Sequence, residues 1–178
     1  MTFELSVRIF ILLLEILLFL YFCYTVVAIF KGAAPIPSLR SVVKTIVNVS
    51  ELKPGELLID LGSGNGRILM AAAAQGATAI GYELNPFLCW LTRCSAKLGG
   101  HRKVSVLSTD MWKADLTKAD VVTAYLVPKF MEKLKNKVFA EMKDGSRLVL
   151  AVYPLPDVKP ESQIGNVYLY KIKRSQVS

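Results

Sequence analysis

One segment constrains this chain more than any other feature: 20 of the 22 residues from Ile9 to Phe30 are apolar. As a helix the segment would rise about 33 Å, which matches a hydrocarbon core of roughly 30 Å. Its one charge, Glu15, would cost about 2.5 to 3.5 kcal/mol at the bilayer centre, whereas its Leu, Ile, Phe and Val side chains would together contribute about −5 to −10 kcal/mol. The sequence therefore predicts a membrane-spanning helix.

A cleaved signal peptide and a buried core helix are the two alternatives for this segment. A signal peptide has an apolar region of about 7 to 15 residues, and this one is longer and has no convincing cleavage site before Lys31. A core helix in a small domain would be polar on one face, and this segment is apolar on all faces. We therefore expect a retained single span.

Basic residues flank the segment unequally. Arg8 precedes it, whereas Lys31, Arg40, Lys44 and Lys53 follow it. Because cytoplasmic loops carry the excess of Lys and Arg, we expect the rest of the chain on the cytoplasmic side, or on the matrix side if the chain is mitochondrial. The formal charge of +8 suits an anionic membrane surface or nucleic acid, and the anchor favours the membrane. The three cysteines show no redox or metal-ligand spacing, so no disulfide or metal site is predicted.

Composition divides the chain into three parts. Residues 1–31 are predicted to form the transmembrane anchor, 32–54 a linker followed by an amphipathic helix, and 55–178 a domain of about the usual size. Pro35 and Pro37 interrupt the first helix and stiffen the linker. The apolar residues of the amphipathic helix recur at helical spacing: Val42, Val43, Ile46 and Val47.

From Leu57 onward, short apolar segments alternate with longer amphipathic ones. The strand candidates are 57–61, 78–83, 103–107, 119–124, 147–152 and 167–171. The helix candidates are 66–75, 86–98 and 129–142, with a short polar connection at 111–118. This alternation predicts an α/β fold with a mostly parallel sheet that is covered on both faces. The last strand follows the fifth too closely for a crossover helix, so we expect it to be antiparallel.

The strongest functional signal is the sequence IDLGSGNGR, from Ile59 to Arg67. It places an acid, Asp60, before a G-x-G-x-G turn at the carboxyl end of the first strand, where open α/β sheets bind ligands. A nucleoside triphosphate would require G-x-x-x-x-G-K-[ST], which is absent here. A dinucleotide would require G-x-G-x-x-G, but Gly66 comes one residue early and Asp60 would repel a pyrophosphate. S-adenosylmethionine carries an ammonium and a sulfonium and has no phosphate, so its charge suits the site.

Two further acidic residues follow the next two strands. Glu83 ends the second strand, where a carboxylate can accept hydrogen bonds from both hydroxyls of a ribose, and Asn85 is placed to cap the next helix. Asp110 follows the third strand and could accept from an adenine amino group, with Met111 or Trp112 against the ring. An N-cap or turn role is the alternative for each acid.

Four motifs, in this order behind an anchor with a P-x-P linker, carry a resemblance: DLGSGNGRI, GYELNP, DMWKADL and YLVP. Together they resemble the small membrane-anchored seven-β-strand protein-lysine methyltransferases, which in mitochondria modify the ATP synthase c subunit and the adenine nucleotide translocase. The match extends from Pro35 to Tyr170. The resemblance implies a class I, Rossmann-like methyltransferase sheet preceded by one N-terminal transmembrane helix.

The resemblance also implies roles for individual residues. It implies cofactor contacts from Asp60, Gly62, Gly64, Gly66, Glu83, Asp110 and Trp112. The predicted cofactor site also includes Ser63 and Met111. It places Tyr125 and Pro128, which bound the YLVP motif, at the methyl-transfer centre as catalytic residues. Two positions depart from the family pattern: Asn65 stands where the family usually has Asp, and Val158 where it usually has Trp.

We therefore expect an S-adenosylmethionine-dependent protein-lysine N-methyltransferase that acts on a membrane-associated protein and contacts the bilayer through residues 9–30. A lipid or quinone methyltransferase and a non-catalytic S-adenosylmethionine-binding membrane scaffold are the alternatives. Nucleic acid is not expected as a partner, because no N/D-P-P-Y-type motif follows the fourth strand. His101 lies in a polar turn and is not expected to be catalytic.

Overall fold

A computed structural model describes residues 2–32 and 39–173 of the chain. Pro35 and Pro37 of the predicted linker lie outside these residues, as do the last five residues of the predicted 55–178 domain. The predicted division into three parts is not tested by the fold and stays a prediction.

The first helix, α1 (Thr2–Phe30), contains the whole predicted span and begins seven residues earlier. The additional residues include Glu4 and Arg8, which form an ion pair in which Arg8 Nη2 lies 2.6 Å from Glu4 Oε1. Between Phe3 and Val27 the helix is long and apolar enough to cross a membrane, and none of its most apolar stretch is buried inside the protein. The alternative of a buried core helix is therefore wrong.

The predicted amphipathic helix is present as α2 (Arg40–Val49). It buries one apolar face against the domain, consisting of Val43, Ile46, Val47 and Val49. The helix ends at Val49, before the end of the predicted 32–54 segment. The Ser50 hydroxyl donates to the Val47 carbonyl at 2.7 Å, and Glu51 then takes a positive φ of 47°, which turns the chain out of the helix.

Seven strands form one mixed sheet in the order β3-β2-β1-β4-β5-β7-β6. They are β1 (Leu57–Leu61), β2 (Thr78–Glu83), β3 (Val104–Ser108), β4 (Val121–Ala124), β5 (Arg147–Ala151), β6 (Ser162–Ile164) and β7 (Val167–Lys171). The first five are parallel, and β7 is antiparallel to β5, as predicted. The six predicted strands agree with these bounds to within two residues. The sequence did not predict β6, because this edge strand has three residues, all of them exposed.

Three further helices cover the sheet. They are α3 (Arg67–Ala74), α4 (Pro86–Leu98) and α5 (Met131–Glu141). The prediction of one helix over 129–142 was wrong at its start, because residues Pro128–Phe130 form a separate 3₁₀ turn. Pro128 has no N–H and fixes its own φ, so it begins that turn. A second 3₁₀ turn, Met111–Lys113, lies within the predicted polar connection.

Two apolar cores lie on opposite faces of the sheet, and adjacent residues of β1 show why. Leu58 points into the core formed with α2 and α3, whereas Ile59 points into the core formed with α5. Successive side chains of a strand alternate between faces, so a parallel strand covered on both sides reads as a continuous apolar run. The five parallel strands end at one edge of the sheet, and this brings the segments after β1, β2, β3 and β4 together there.

Candidate functional site

The glycine turn between β1 and α3 has a left-handed backbone at each of its three glycines. The φ angles are +83° at Gly62, +53° at Gly64 and +75° at Gly66. A Cβ atom at Gly66 would lie 2.4 Å from Thr92 Cγ2, whereas one at Gly64 would meet no protein atom within 4 Å. Gly66 is thus required by packing, and the space beside Gly64 is open to a ligand.

Hydrogen bonds from the neighbouring elements hold the glycine turn in place. The Gly62 N–H donates to the Tyr82 carbonyl at 2.9 Å, and the Gly64 N–H donates to Glu83 Oε2 at 2.8 Å. On the other side, the Thr92 hydroxyl of α4 donates to the Gly64 carbonyl at 3.2 Å. The turn is therefore organised before any ligand binds, which reduces the entropy lost on binding.

Asp60 lies near the end of β1 with its carboxylate buried. Thr123 of the adjacent strand β4 donates from Oγ1 to Asp60 Oδ1 at 2.7 Å. Burial raises the pKa of Asp60 from its ordinary value of 3.8 to about 7, the Thr123 hydrogen bond opposes this rise, and the charge of Glu83 adds to it. A cation beside Asp60 would favour the ionised form. The site therefore suits a positively charged group.

Ser63 has an unsatisfied hydroxyl in the middle of the glycine turn. Within the described part of the chain, its Oγ is the one buried side-chain N or O atom without a hydrogen-bond partner. The side chain packs tightly on β2, because a Cβ atom at Gly81 would lie 2.4 Å from Ser63 Oγ. An unpaired buried hydroxyl costs about 1 to 3 kcal/mol, and a ligand that reached this atom would recover part of that cost.

Glu83 has the turn role that was given as its alternative, and it also holds the glycine turn. Its two carboxylate oxygens accept from the N–H groups of Gly64 and Asn85, both at 2.8 Å, so the residue clamps the glycine turn to the end of β2. Each carboxylate oxygen has a second lone pair, and this leaves acceptor capacity for a ribose. The predicted cap is confirmed, since Asn85 Oδ1 accepts from the Phe87 N–H at 2.9 Å.

Asp110 is engaged by the end of α1. Lys31 Nζ lies 2.9 Å from Asp110 Oδ2, and the Trp112 N–H donates to Asp110 Oδ1 at 3.1 Å. Partial burial alone would raise the pKa of Asp110, but the hydrogen bond and charge of Lys31, the Trp112 amide and the charge of Lys133 together lower it. Asp110 is therefore both the cap of its 3₁₀ turn, which was the alternative role, and the partner of a residue from the predicted anchor.

Met111 and Trp112, the two residues predicted to contact the adenine ring, differ in exposure. Met111 is buried in the core beside α5, whereas Trp112 is only partly buried. The Trp112 ring lies 5.9 Å from the Phe130 ring between centroids, and Lys133 Nζ lies 4.2 Å from the centroid of Trp112. Its Nε1 donates to the Lys31 carbonyl at 2.8 Å. An adenine contact from either residue stays a prediction, and Trp112, which is partly exposed, is the more accessible of the two.

The predicted catalytic turn follows β4 and contacts the end of α1. Tyr125 is partly buried against the core of α2 and α3, and Pro128 is exposed. Between them, the Val127 N–H donates to the Gly32 carbonyl at 3.0 Å. A Cβ atom at Gly32 would lie 2.7 Å from Phe130 Cδ2, so the end of the helix packs closely on this turn.

The structure thus brings the predicted site residues to one edge of the sheet and adds three that sequence reasoning missed: Thr123, Lys31 and Gly32. Thr123 had a usable signal, since it is a polar residue in the buried apolar strand VVTA. Lys31 and Gly32 gave no such signal, because they contact residues that are far away along the chain. The assembled site contains a buried acid, an open glycine turn, an unpaired hydroxyl and a partly buried indole.

Comparison with known proteins places this site among methyltransferases. The ANTKMT methyltransferase domain matches residues 60–162. The human (Homo sapiens) lysine N-methyltransferase that is named for the c subunit of ATP synthase is 34% identical over 155 residues, which cover 79% of this chain and 66% of the relative. The adenine nucleotide translocase lysine N-methyltransferase of Mus musculus is 37% identical over 131 residues, which cover 69% of this chain and 54% of the relative. The chain thus spans about half to two thirds of the length of these relatives.

A solved structure shows the same fold. The RNA methyltransferase from Salinibacter ruber, in complex with S-adenosyl-L-homocysteine, superposes with a TM-score of 0.74 at 31% sequence identity. The similarity covers 77% of this chain and 94% of that one. The class I, Rossmann-like sheet predicted from the sequence is therefore confirmed.

Proposed function

We propose that this chain, which belongs to the family of the ANTKMT methyltransferase domain, is an S-adenosylmethionine-dependent protein-lysine N-methyltransferase that acts on a membrane-associated protein. The observation that carries the proposal is the buried Asp60 carboxyl beside the open space at Gly64. This pair offers a negative charge and room for a ligand at the point where the family binds its methyl donor.

The residues present fit that donor. Asp60 would hold the methionyl ammonium, and the free hydroxyl of Ser63 would take one of its polar groups. Glu83 would accept from the ribose hydroxyls with its remaining lone pairs, and Trp112 would pack against the adenine. When bound, S-adenosylmethionine supplies an electrophilic methyl group on a positively charged sulfur. Asn65, where the family usually has Asp, leaves the turn with one negative charge fewer.

The protein's own residues would prepare the lysine that is methylated. A free lysine with a pKa of about 10.4 is neutral roughly once in a thousand molecules at pH 7.4, and only the neutral amine has the required lone pair. Lys129 and Lys133 lie over the rings of Phe130 and Trp112, and positive charges there would lower the pKa of an incoming amine. Tyr125 and the carbonyls of the turn that ends at Pro128 would then orient the amine.

The anchor supports the choice of a membrane-associated substrate. The side chains of α1 from Phe3 to Phe22 are exposed, and the helix ends against the catalytic turn. A single span with the domain on the cytoplasmic side, or the matrix side of a mitochondrial inner membrane, would keep enzyme and substrate in the same bilayer. Tethering of this kind raises the effective concentration of the two partners.

A second candidate, RNA methylation, is favoured by one observation, the 31% identity to the Salinibacter ruber protein that is named an RNA methyltransferase. A net charge of +8 would also suit RNA. The curated relatives that are named lysine methyltransferases match at similar or higher identity, and their substrates fit the apolar helix. Protein lysine is therefore the better-supported acceptor, and lipid or quinone methylation and a non-catalytic scaffold remain rivals for the same test.

The experiment that tests the proposal follows tritiated methyl groups from S-adenosylmethionine into membranes that contain the full chain. Protein, organic extract and RNA are counted separately, and Asp60→Ala serves as the inactive control. Label in protein, stable to alkali and absent with Asp60→Ala, is expected. Label confined to lipid or RNA would assign one of the rival acceptors, and no label in any fraction would favour the scaffold.

The substrate itself can be identified by intact mass. Small membrane proteins from cells with and without the gene should differ in one species by whole methyl increments. Restoration of that mass by the native chain, but not by Asp60→Ala, would connect the modification to this site.

A further inference from the structure

Two large aromatic side chains lie exposed on the first turns of α4. Phe87 is 46% exposed and Trp90 is 56% exposed, and their ring centroids are 5.9 Å apart. The opposite side of α4 packs on the domain through Cys89, Thr92 and Ala96. The outer face of the helix therefore begins with an aromatic surface that the domain itself does not cover.

A tyrosine of α1 extends this aromatic surface. The Tyr21 ring meets the Phe87 ring edge to face, with centroids 6.4 Å apart and planes at 89°. Tyr21 lies within the stretch from Phe3 to Val27 that is apolar enough to cross a membrane. Phe87 consequently lies at the same level as Tyr21, which is about 15 Å before Lys31 along the axis of α1.

Close to Tyr21, the side chains of α1 also change from exposed to half-buried. Its side chains are exposed up to Phe22, whereas Cys23, Thr25 and Val26 are half-buried and Gly32 is buried. A span needs about 20 predominantly apolar residues, and 18 of the 22 residues from Phe3 to Tyr24 are apolar. The span can therefore begin and end about six residues earlier than the predicted 9–30, with Glu4 and Arg8 paired in its first turns. The membrane surface is therefore expected near Tyr21 and Tyr24, because Tyr and Trp concentrate at the interface.

Positive charges follow the aromatic residues along α4. Arg93, Lys97, His101 and Arg102 line a cavity of ≈ 490 Å³ between α4 and β3, and none of its described lining residues is acidic. Lys97 lies about 10.5 Å beyond Trp90 along the helix axis, whereas Arg93 is turned toward the domain, because its Nη2 donates to the Val106 carbonyl of β3 at 2.9 Å. The headgroup layer of a bilayer is about 5 to 8 Å thick on each side, so this order matches hydrocarbon, interface and phosphate.

We propose that the outer face of α4, from Phe87 to Lys97, together with the nearby Arg102, is a second membrane contact, in which Phe87 and Trp90 enter the interface and Lys97 and Arg102 meet anionic headgroups. The inference rests on the proposed membrane span. One span alone would let the domain rotate about its attachment, whereas a second contact fixes its orientation. Because α4 begins at the ligand-binding edge of the sheet, this contact holds that edge at the bilayer surface, where the lysine of a membrane protein would be presented.

The test measures how deeply Trp90 enters the bilayer. The full chain is reconstituted into vesicles with and without lipids brominated high on the acyl chain, and the difference in emission between the native chain and Trp90→Phe isolates Trp90 from Trp112. Quenching of the Trp90 emission by brominated lipid is expected to be at least twofold stronger than that of Trp112. Weaker quenching, with Trp90 accessible to aqueous iodide, would overturn the proposal and leave this face to another protein.

Charge is tested with matched double variants. Quenching of Trp90 should increase when phosphatidylglycerol is added to phosphatidylcholine vesicles, and Lys97→Gln/Arg102→Gln should lose at least half of that increase. The control, Lys159→Gln/Lys171→Gln, removes the same charge from exposed positions elsewhere and should respond as the native chain does. An equal response of both variants would contradict the role given to the cations.

Two further measurements separate this proposal from the proposed function. Release of the chain from membranes by alkaline carbonate would refute the span itself, whatever Trp90 does. Phe87→Ser/Trp90→Ser should stay in the membrane, bind S-adenosylmethionine with unchanged affinity and methylate a membrane-embedded substrate at least fivefold more slowly. Full activity of this variant, with the span intact, would overturn the second contact alone.

Discussion

Asp60 is suited to binding a cation, but its ionised form lowers the free energy of unfolding of the free protein. Its carboxyl is 3% exposed, and burial raises its pKa from 3.8 to about 7. Because the folded-state pKa is the higher one, the associated stability is fully present below pH 3.8 and is lost as the pH rises through about 7. The loss is on the order of 4 kcal/mol when complete. A bound cation would recover part of it by favouring the carboxylate.

The first prediction is that affinity for S-adenosylmethionine depends on the protonation of Asp60. Calorimetry between pH 5 and 9 should show Kd falling about tenfold per pH unit up to about 7, because the ligand binds the carboxylate. Affinity should decline again where the ligand's α-amino group, with a pKa of about 7.7 to 8.0, loses its charge. Asp60→Asn should bind at least tenfold more weakly at pH 7.5, with a Kd that does not change between pH 5 and 7. A constant native Kd over that range would contradict the assignment.

The second prediction compares two glycines of the same turn. Gly66→Ala places a Cβ atom 2.4 Å from Thr92 Cγ2 and should lower the free energy of unfolding by more than about 3 kcal/mol. Gly64→Ala meets no protein atom and should cost only about 1 to 2 kcal/mol for its left-handed backbone. Its methyl group occupies ligand space, so Kd for S-adenosylmethionine should rise at least tenfold. Denaturant titration and calorimetry measure the two effects, and native-like binding by Gly64→Ala would refute the placement of the ligand.

At the scale of elements, the end of α1 is joined to the two turns that carry the site. The two residues that follow it, Lys31 and Gly32, accept from the Trp112 indole and the Val127 amide through their backbone carbonyls, and Lys31 also pairs with Asp110. Sequence patterns predicted α1 and the turns separately, because each has its own local signal. The junction between them was not predicted, since backbone carbonyls carry no residue-specific signal.

The third prediction tests this junction. Gly32→Ala introduces a Cβ atom 2.7 Å from Phe130 Cδ2 at a residue with φ of +106°, so the end of α1 should separate from the catalytic turn. We expect methylation of a membrane substrate to fall at least tenfold while S-adenosylmethionine binds within threefold of the native affinity. Gly55→Ala is the control, because it has a similar φ of +87° with no atom within 4 Å. Equal losses of activity in both variants would indicate a general loss of stability instead.

At the scale of the whole molecule, the chain combines an exposed apolar helix with a domain that has its own two cores. Within residues 2–32 and 39–173, no surface covers this helix, since its side chains from Phe3 to Phe22 are exposed. In water this area would aggregate, because monomeric proteins rarely expose contiguous apolar patches of more than a few hundred Å². The proposed insertion into a lipid bilayer would remove this exposure to water.

The fourth prediction concerns the side of the membrane on which the domain lies. Cys94 is half-exposed on α4, Cys89 is buried and Cys23 lies in the span, so a membrane-impermeant maleimide should label Cys94 alone. Inside-out vesicles should be labelled and right-side-out vesicles should not, because the excess of Lys and Arg follows the span. Cys94→Ser should abolish the signal. Labelling of right-side-out vesicles would reverse the proposed orientation.

The sequence by itself determined the elements whose signals are local: an apolar run long enough for α1, alternation of strands and helices, and an acid before a glycine turn. The contacts between those residues depend on the tertiary structure. Thr123 bonds Asp60 across 63 positions of the chain, and Glu83 clamps Gly64 across 19. Both contacts depend on the strand order β3-β2-β1-β4, in which β4 lies beside β1. Local propensity does not specify that order, because it is set by which faces can be buried together when the whole sheet assembles.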